Sequence, residues 1–191
     1  MLRLIVGFLP WIILGTLGEQ WFVLSLVFGL VTAAVTTFGQ YRRGTPKILD
    51  TVTLAFFALI FVGVVGFRWM VLATYMSVLV NTTLAAIAWG SLLAGTPFTI
   101  QYAREQVAPE FWHKPGFLLV NQYITAVWGL NFVLAALVSG YRHLSGDPSL
   151  VWKYAWVVLS VLAVLFTAYF PGWYRSHALR GTPQPEPPRT Q

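Results

Sequence analysis

The chain has 191 residues, of which 57% are hydrophobic and only 9% are charged, and its formal net charge is +6. An ordinary soluble domain contains roughly 25% charged residues, so the composition leaves too little polar surface for a water-soluble globule and predicts a polytopic membrane protein. Since the sequence contains no cysteine, disulfides, thiolate nucleophiles and Cys-ligated metals are excluded.

Six apolar segments approach the length of about 20 residues that is needed to cross a bilayer core. In chain order they lie at 4–17, 21–39, 51–66, 70–94, 117–139 and 150–171. They predict an all-α polytopic membrane protein with about six transmembrane helices, in which residues 1–175 form a single helical domain. Residues 176–191 are polar and rich in proline, which predicts a disordered cytoplasmic tail.

The first segment is short and carries Pro10 in its middle. Two interpretations remain open for it. Arg3, the apolar run and the small residues of GTLG together resemble a secretory signal peptide. Pro10, Trp11 and the lack of an A-x-A cleavage pattern favour a helix that is retained.

The lysine and arginine residues indicate the orientation of the six segments. If both termini are cytoplasmic, nine of the twelve lie inside, and Arg68, Arg142 and Lys153 lie outside. This bias follows the positive-inside rule, so we expect a multi-pass membrane protein with both termini in the cytoplasm. Because the basic residues lie at segment ends and not on one face, the predicted partner is the lipid bilayer and not nucleic acid. The predicted inner-leaflet anchors are Arg42, Arg43, Lys47, Arg104, Lys114 and Arg175.

The loop between the fourth and fifth spans, TPFTIQYAREQVAPEFWHKPG (96–116), interrupts the apolar chain. Its Thr-Pro pair is typical of a helix start. The spacing of Ile100, Ala103 and Val107 predicts a short interfacial helix on the cytoplasmic leaflet. The alternative is an active site built from Glu105, Glu110 and His113, although their spacing matches no catalytic or metal motif.

The ionisable residues are predicted to lie at the edges of the lipid. Glu19, Asp50, Asp147 and the three histidines all fall in loops or at span ends. Proton-coupled pumps typically use buried acids or histidines, and transmembrane haem needs axial ligands at membrane depth, so both classes are disfavoured and no cofactor or metal is expected. A serine nucleophile would lack a nearby base for the same reason. We therefore predict that the protein is not an enzyme.

Neutral polar residues remain within the fourth and fifth spans. Asn121, Thr125 and Trp128 lie on one helical face, at spacings of four and three residues. One interpretation is hydrogen bonding between helices, worth about 0.6 kcal/mol on average, and the other is a polar lining for a small solute. The residues concerned are Asn81, Asn121, Thr125, Trp128 and Asn131.

Small residues recur every four positions in two of the spans. One stripe is Gly29, Ala33 and Thr37, and the other is Ala86, Gly90 and Ala94. Such stripes allow two helix backbones to approach closely in lipid. The contact lies either within one chain or between two copies in a homo-oligomer.

The order of several short motifs points to a known family. Phe8-Leu9-Pro10 occurs in the first span, a basic loop follows the second, and Pro97-Phe98 opens a loop that leads through Trp112 to a span with Asn121, Trp128 and Phe132. This order resembles the intracellular septation protein A family of bacterial inner-membrane proteins. The resemblance implies a non-enzymatic protein of septation and cell-envelope maintenance that acts through contacts with other inner-membrane proteins, without catalytic residues. The alternative function is a small-solute transporter or channel lined by Asn81, Asn121 and Asn131.

Overall fold

The computed structural model describes residues 2–17, 19–146 and 150–178. All regular secondary structure in these ranges is helical, which confirms the predicted all-α class. The helices are α1 (Leu2–Thr16), α2 (Phe22–Arg42), α3 (Ile48–Phe61), α4 (Met70–Thr74), α5 (Met76–Leu93), α6 (Phe98–Ala103), α7 (Pro115–Ser145) and α8 (Leu150–Ala178).

Five of these helical segments are long and apolar enough to cross a membrane, which confirms the polytopic membrane character. They are Phe22–Arg42, Ile48–Gly66, Met76–Leu93, Pro115–Ser145 and Val157–His177. The first predicted span is a shorter apolar helix, Leu4–Thr16. The last helix runs to Ala178, into the stretch predicted as a tail, and residues 179–191 of that tail lie outside the described residues.

The third and fourth spans are irregular where they meet. Residues Val62–Gly66 continue α3 as one π-helical turn, and Arg68 has a φ of +56°. A Cβ at Gly63 would lie 2.5 Å from the Cδ1 atom of Leu72, so the glycine permits close packing of the next segment. The predicted span 70–94 contains two helices, α4 and α5, which meet at Tyr75.

The helices form two groups. In one group α2 packs against both α1 and α3, and in the other α7 packs against both α5 and α8. Contact between α3 and α5 is sparse, whereas α6 touches α7, α5 and α1. The short helix α6 therefore lies where the two groups meet.

Aromatic rings from α1 hold the two groups together. The ring of Phe8 stacks on Trp128 at a centroid distance of 5.3 Å and lies 6.0 Å from Phe132, both on α7. It also meets the edge of Phe98 on α6 at 6.3 Å. Aromatic contacts of this geometry add to the burial of apolar area, so α1 is a central element of the core despite its short length.

The two stripes of small residues have different surroundings. Gly29, Ala33 and Thr37 are buried, and the ring of Phe57 from α3 covers Gly29. In contrast, Ala86 and Gly90 are exposed on α5, Ala94 is exposed directly after it, and nothing within 4 Å would meet a Cβ at Gly90. The first stripe thus joins two helices of one chain, and the second contacts no other helix closely.

The predicted helix between the fourth and fifth spans is present as α6, but it ends at Ala103, before Val107, and its surroundings differ from the expectation. Phe98, Thr99, Ile100 and Tyr102 are buried within the protein. Gly95, with a φ of +70°, turns the chain after α5, and the Ser91 hydroxyl accepts a hydrogen bond of 3.0 Å from the Phe98 N–H. The helix is therefore inserted into the bundle and does not lie with its apolar face on lipid.

Candidate functional site

The beginning of α3 is capped by side chains from two other elements. Gln40, near the end of α2, accepts a hydrogen bond from the Lys47 N–H at 3.2 Å. Gln101, on α6, accepts one from the Ile48 N–H at 2.8 Å. The first N–H groups of a helix lack partners within that helix, so the two amide oxygens replace a local N-cap side chain.

Asp50 lies in the first turn of α3 and is only 2% exposed. Its Oδ2 atom accepts hydrogen bonds from Gln40 Nε2 at 2.8 Å and from the Tyr102 hydroxyl at 2.5 Å. Thr37 donates to the backbone carbonyl of the same residue at 3.1 Å. The helix dipole also favours a carboxylate in the first turn, so several donors and a local field stabilise the buried acid.

Lys47 forms a second pair beside this carboxyl group. Its Nζ atom lies 3.0 Å from Glu105 Oε1, with the two side chains 8% and 20% exposed. The same ammonium group lies 4.3 Å from the centroid of the Tyr102 ring, in cation–π geometry. We refer to Gln40, Lys47, Asp50, Tyr102 and Glu105 as the polar cluster.

Tyr102 is the central member of the polar cluster. Burial, followed by the neighbouring Asp50 carboxylate, raises the pKa of its phenol far above the ordinary value of 10.0. Its hydroxyl oxygen also packs closely against α1 at Gly7. A Cβ atom at that glycine would lie 2.6 Å from the oxygen. Tyr102 therefore stays a protonated donor and links α6 to α1 and α3.

These contacts correct two predictions. Asp50 does lie at a span end, but it is buried and paired among the helices, so the expected restriction of ionisable groups to the lipid edges is wrong for this residue. Lys47 is not a lipid anchor, because its ammonium group is engaged by Glu105 and Tyr102. The three histidines are exposed, whereas the side chain of Glu19 and all of Asp147 lie outside the described residues.

Sequence reasoning missed the polar cluster because its members are far apart along the chain. Asp50 and Tyr102 are separated by 52 positions, and no local spacing relates them. One signal was present: Asp50 directly precedes an apolar segment, and acids in a first helical turn are often stabilised there. That signal predicts a favourable position for the carboxylate but not its partners.

The fifth-span residues predicted as lining or contacts lie at helix–helix contacts. Thr125 shares a 2.7 Å hydrogen bond with Thr99 on α6, and the Trp128 indole donates to Thr167 on α8 at 3.0 Å. Asn121 donates to the Phe117 carbonyl at 2.8 Å within α7. Most of this face is therefore used inside the bundle.

The other two asparagines do not share a site with Asn121. Asn131 is 5% exposed and donates to Ser160 on α8 at 3.4 Å, while its Oδ1 atom has no hydrogen-bond partner. Asn81 donates to the Ser77 carbonyl of its own helix at 2.8 Å. Ten residues of helix separate Asn121 from Asn131, which is about 15 Å, so the two amides act at different depths.

The remaining predicted anchors are exposed: Arg42, Arg43, Arg104, Lys114 and Arg175. Three of these cations lie over aromatic rings, namely Arg42 over Phe38, Arg104 over Trp112 and Lys114 over Phe111. Of the alternative catalytic residues, Glu110 and His113 are exposed, whereas Glu105 is paired with Lys47. Within the described ranges, no three His, Cys, Asp or Glu side chains are grouped to hold a metal ion.

Comparison with known proteins gives no match to a family model, to a curated protein or to a solved structure.

Proposed function

We propose that the chain is a non-enzymatic, multi-pass protein of the bacterial cytoplasmic membrane that acts through contacts with other membrane proteins in septation and envelope maintenance. Both termini lie in the cytoplasm in this proposal, as the distribution of lysine and arginine predicts. The resemblance to the intracellular septation protein A family motivates the link to septation.

The observation that carries the proposal is the use of polar side chains inside the bundle. Thr125, Trp128 and Asn131 each bond to a residue on a neighbouring helix. Polar residues that hold helices together typically serve packing in lipid. A bundle built in this way presents its outer faces, and not a polar passage, to the rest of the membrane.

The proposal is tested in cells with a photo-crosslinking amino acid at Val161, which is 51% exposed on α8. Ala163, 2% exposed on the same helix, is the matched control position. We expect specific crosslinks to membrane proteins of the envelope from Val161 and none from Ala163, together with a division or envelope defect in cells that lack the chain. Normal division combined with no specific crosslink would contradict the proposal.

A second candidate function is a small-solute transporter, and the buried Asp50 favours it. Ionisable groups buried in membrane proteins often lie on ion or substrate pathways. In the polar cluster, the acid lies beside α6, which occupies the junction of the two helix groups. Movement of such a segment would open a path from one side of the membrane.

Flux into proteoliposomes distinguishes the two functions. Asp50→Asn and Asn131→Leu should abolish flux of a small neutral or anionic solute if the chain is a transporter. Glu110→Gln, which changes an exposed acid, is the control and should leave flux unchanged. If the wild type shows no flux above empty vesicles for such solutes, the contact function is favoured.

A further inference from the structure

A groove lies on the outside of the bundle between α3 and α5. Its volume is about 530 Å³, and most of its lining is apolar. Ile48 and Val52 form one wall, and the other is formed by Thr82, Ala86, Gly90 and Ala94. The groove thus includes the exposed stripe of small residues, at the place where the two helix groups make few contacts.

We propose that this groove binds one hydrocarbon chain of an anionic phospholipid from the leaflet on the side of the α2–α3 turn. The inference concerns a lipid ligand and does not depend on the proposed function. Three features support it: the dimensions of the groove, its length relative to one leaflet and the exposed arginines on the turn that leads into it.

The dimensions fit a hydrocarbon chain better than a helix. The wall from Thr82 to Ala94 extends about 18 Å at 1.5 Å per residue. A volume of about 530 Å³ spread over that length gives a width of roughly 6 Å, whereas a helix with its side chains is about 10–12 Å across. An extended acyl chain fits within this width, whereas a second copy of α5 would lie over the groove and not within it.

The depth of the groove matches one leaflet. It begins where α3 begins, at Ile48, beside the last residues of α5. One leaflet supplies half of a hydrocarbon core that is about 30 Å thick, or about 15 Å. If Ile48 marks the membrane edge, a groove of about 18 Å would end near the middle of the bilayer, where the chain of a phospholipid also ends.

The charge at the membrane edge of the groove favours an anionic headgroup. Arg42 and Arg43 are exposed on the turn that leads into Ile48. Two of the three acids within residues 40–50 and 96–116, Asp50 and Glu105, are engaged inside the polar cluster. The exposed arginines are thus left to attract a phosphate, and each such residue near a membrane surface contributes to binding of anionic lipid.

The experiment measures lipids retained by the purified protein after nanodisc reconstitution in equimolar phosphatidylglycerol and phosphatidylcholine, by native mass spectrometry. Wild type should retain one phosphatidylglycerol in preference to phosphatidylcholine. Gly90→Leu, which fills the groove, should reduce retention about tenfold, equivalent to the contacts of about two methylene groups. Arg43→Gln should reduce the preference for phosphatidylglycerol about fivefold.

Ala168→Leu is the matched control, because it adds a similar side chain at an exposed position on α8. It should retain lipid as the wild type does. Equal retention by Gly90→Leu and Ala168→Leu would overturn the proposal. So would a wild-type dimer that Gly90→Leu converts to a monomer without a change in bound lipid, since the groove would then receive a second copy of the chain.

A second measurement avoids substitution to a large residue. The chain has no cysteine, so a single Leu93→Cys, at a residue that is 89% exposed and directly precedes the lining residue Ala94, can carry a bimane label beside the groove without filling it. Brominated phosphatidylglycerol should quench this label at a several-fold lower mole fraction than brominated phosphatidylcholine. Equal quenching by both lipids would overturn the proposal, even if Gly90→Leu fails to fold.

Discussion

Asp50 carries a carboxyl group where little water can reach it, since the residue is 2% exposed. An unpaired charge in such a place would cost several kcal/mol. Gln40 and Tyr102 supply hydrogen bonds to one carboxylate oxygen, and the first turn of α3 supplies a favourable dipole. The stability of this end of the bundle therefore depends on individual donors.

The hydroxyl group of Tyr102 can be removed with little change in the shape of the side chain. Tyr102→Phe should lower the free energy of unfolding by about 1.5–3 kcal/mol, the usual range for hydrogen bonds to charged groups. Reversible unfolding in mixed detergent micelles would measure it. Tyr41→Phe, at an exposed tyrosine, should change stability by less than about 0.5 kcal/mol. Equal effects of the two substitutions would show that the Asp50 contact contributes nothing.

The raised pKa of Tyr102 also predicts a dependence on alkaline pH. Burial and the Asp50 carboxylate raise the pKa in the folded protein above the ordinary value of 10.0, so above that pH the unfolded chain releases a proton that the folded chain keeps. The contribution of the protonated Tyr102 hydroxyl to the free energy of unfolding is complete below the pKa that this residue has in the unfolded chain. Above that pKa it decreases by up to about 1.4 kcal/mol per pH unit. Tyr102→Phe should therefore have a shallower alkaline slope than wild type. Parallel slopes would contradict the assignment.

At the scale of the helices, the two stripes of small residues differ in how closely a neighbouring helix packs against them. Their sequence patterns are alike, yet one is packed against α3 and the other is open. The difference arises because the Phe57 ring lies over Gly29, whereas the sparse contact between α3 and α5 leaves Gly90 free. Spacing alone predicts a helix able to pack closely, and the neighbouring helix decides whether it does.

Alanine at each stripe tests this difference. A Cβ at Gly29 would lie 2.1 Å from the Phe57 Cε1 atom, and Phe57 is fully buried, so the ring cannot move freely. Overpacking of this kind costs about 1–3 kcal/mol. Gly29→Ala should thus be less stable than Gly90→Ala by about 2 kcal/mol in the same unfolding assay. The prediction fails if the two variants unfold alike.

The element boundaries show what local sequence can predict. Apolar length and turn residues predicted an all-α chain and the short helix after Pro97, because these signals act within a few residues, but they did not predict the division of the span 70–94 at Tyr75. The insertion of α6 into the bundle was not predictable, since it depends on Phe8 and Gly7 of α1 and on Thr125 of α7. The polar cluster was missed for the same reason: distant elements complete it.

For the whole molecule, the distribution of cations predicts which side of the membrane each end faces. Thr45 is exposed on the α2–α3 turn, and Leu144 is 86% exposed at the end of α7. The positive-inside rule predicts that Thr45 faces the cytoplasm and that Leu144 faces the opposite side.

Single cysteines at these two positions test the orientation, because the chain has no cysteine of its own. A membrane-impermeant maleimide should label Leu144→Cys on intact cells and Thr45→Cys only after the membrane is permeabilised. The opposite order of labelling would show that the orientation is the reverse of the predicted one, with the polar cluster on the outer side of the membrane.

The capping of α3 has a consequence for biogenesis. Chains are synthesised from the N-terminus, so Ile48 is added to the chain 53 residues before Gln101, and Asp50 is added 52 residues before Tyr102. Until those residues arrive, the Ile48 N–H lacks its acceptor and Asp50 lacks one of its donors. The first turn of α3 therefore completes its hydrogen bonding only after α6 has been synthesised and has packed against it.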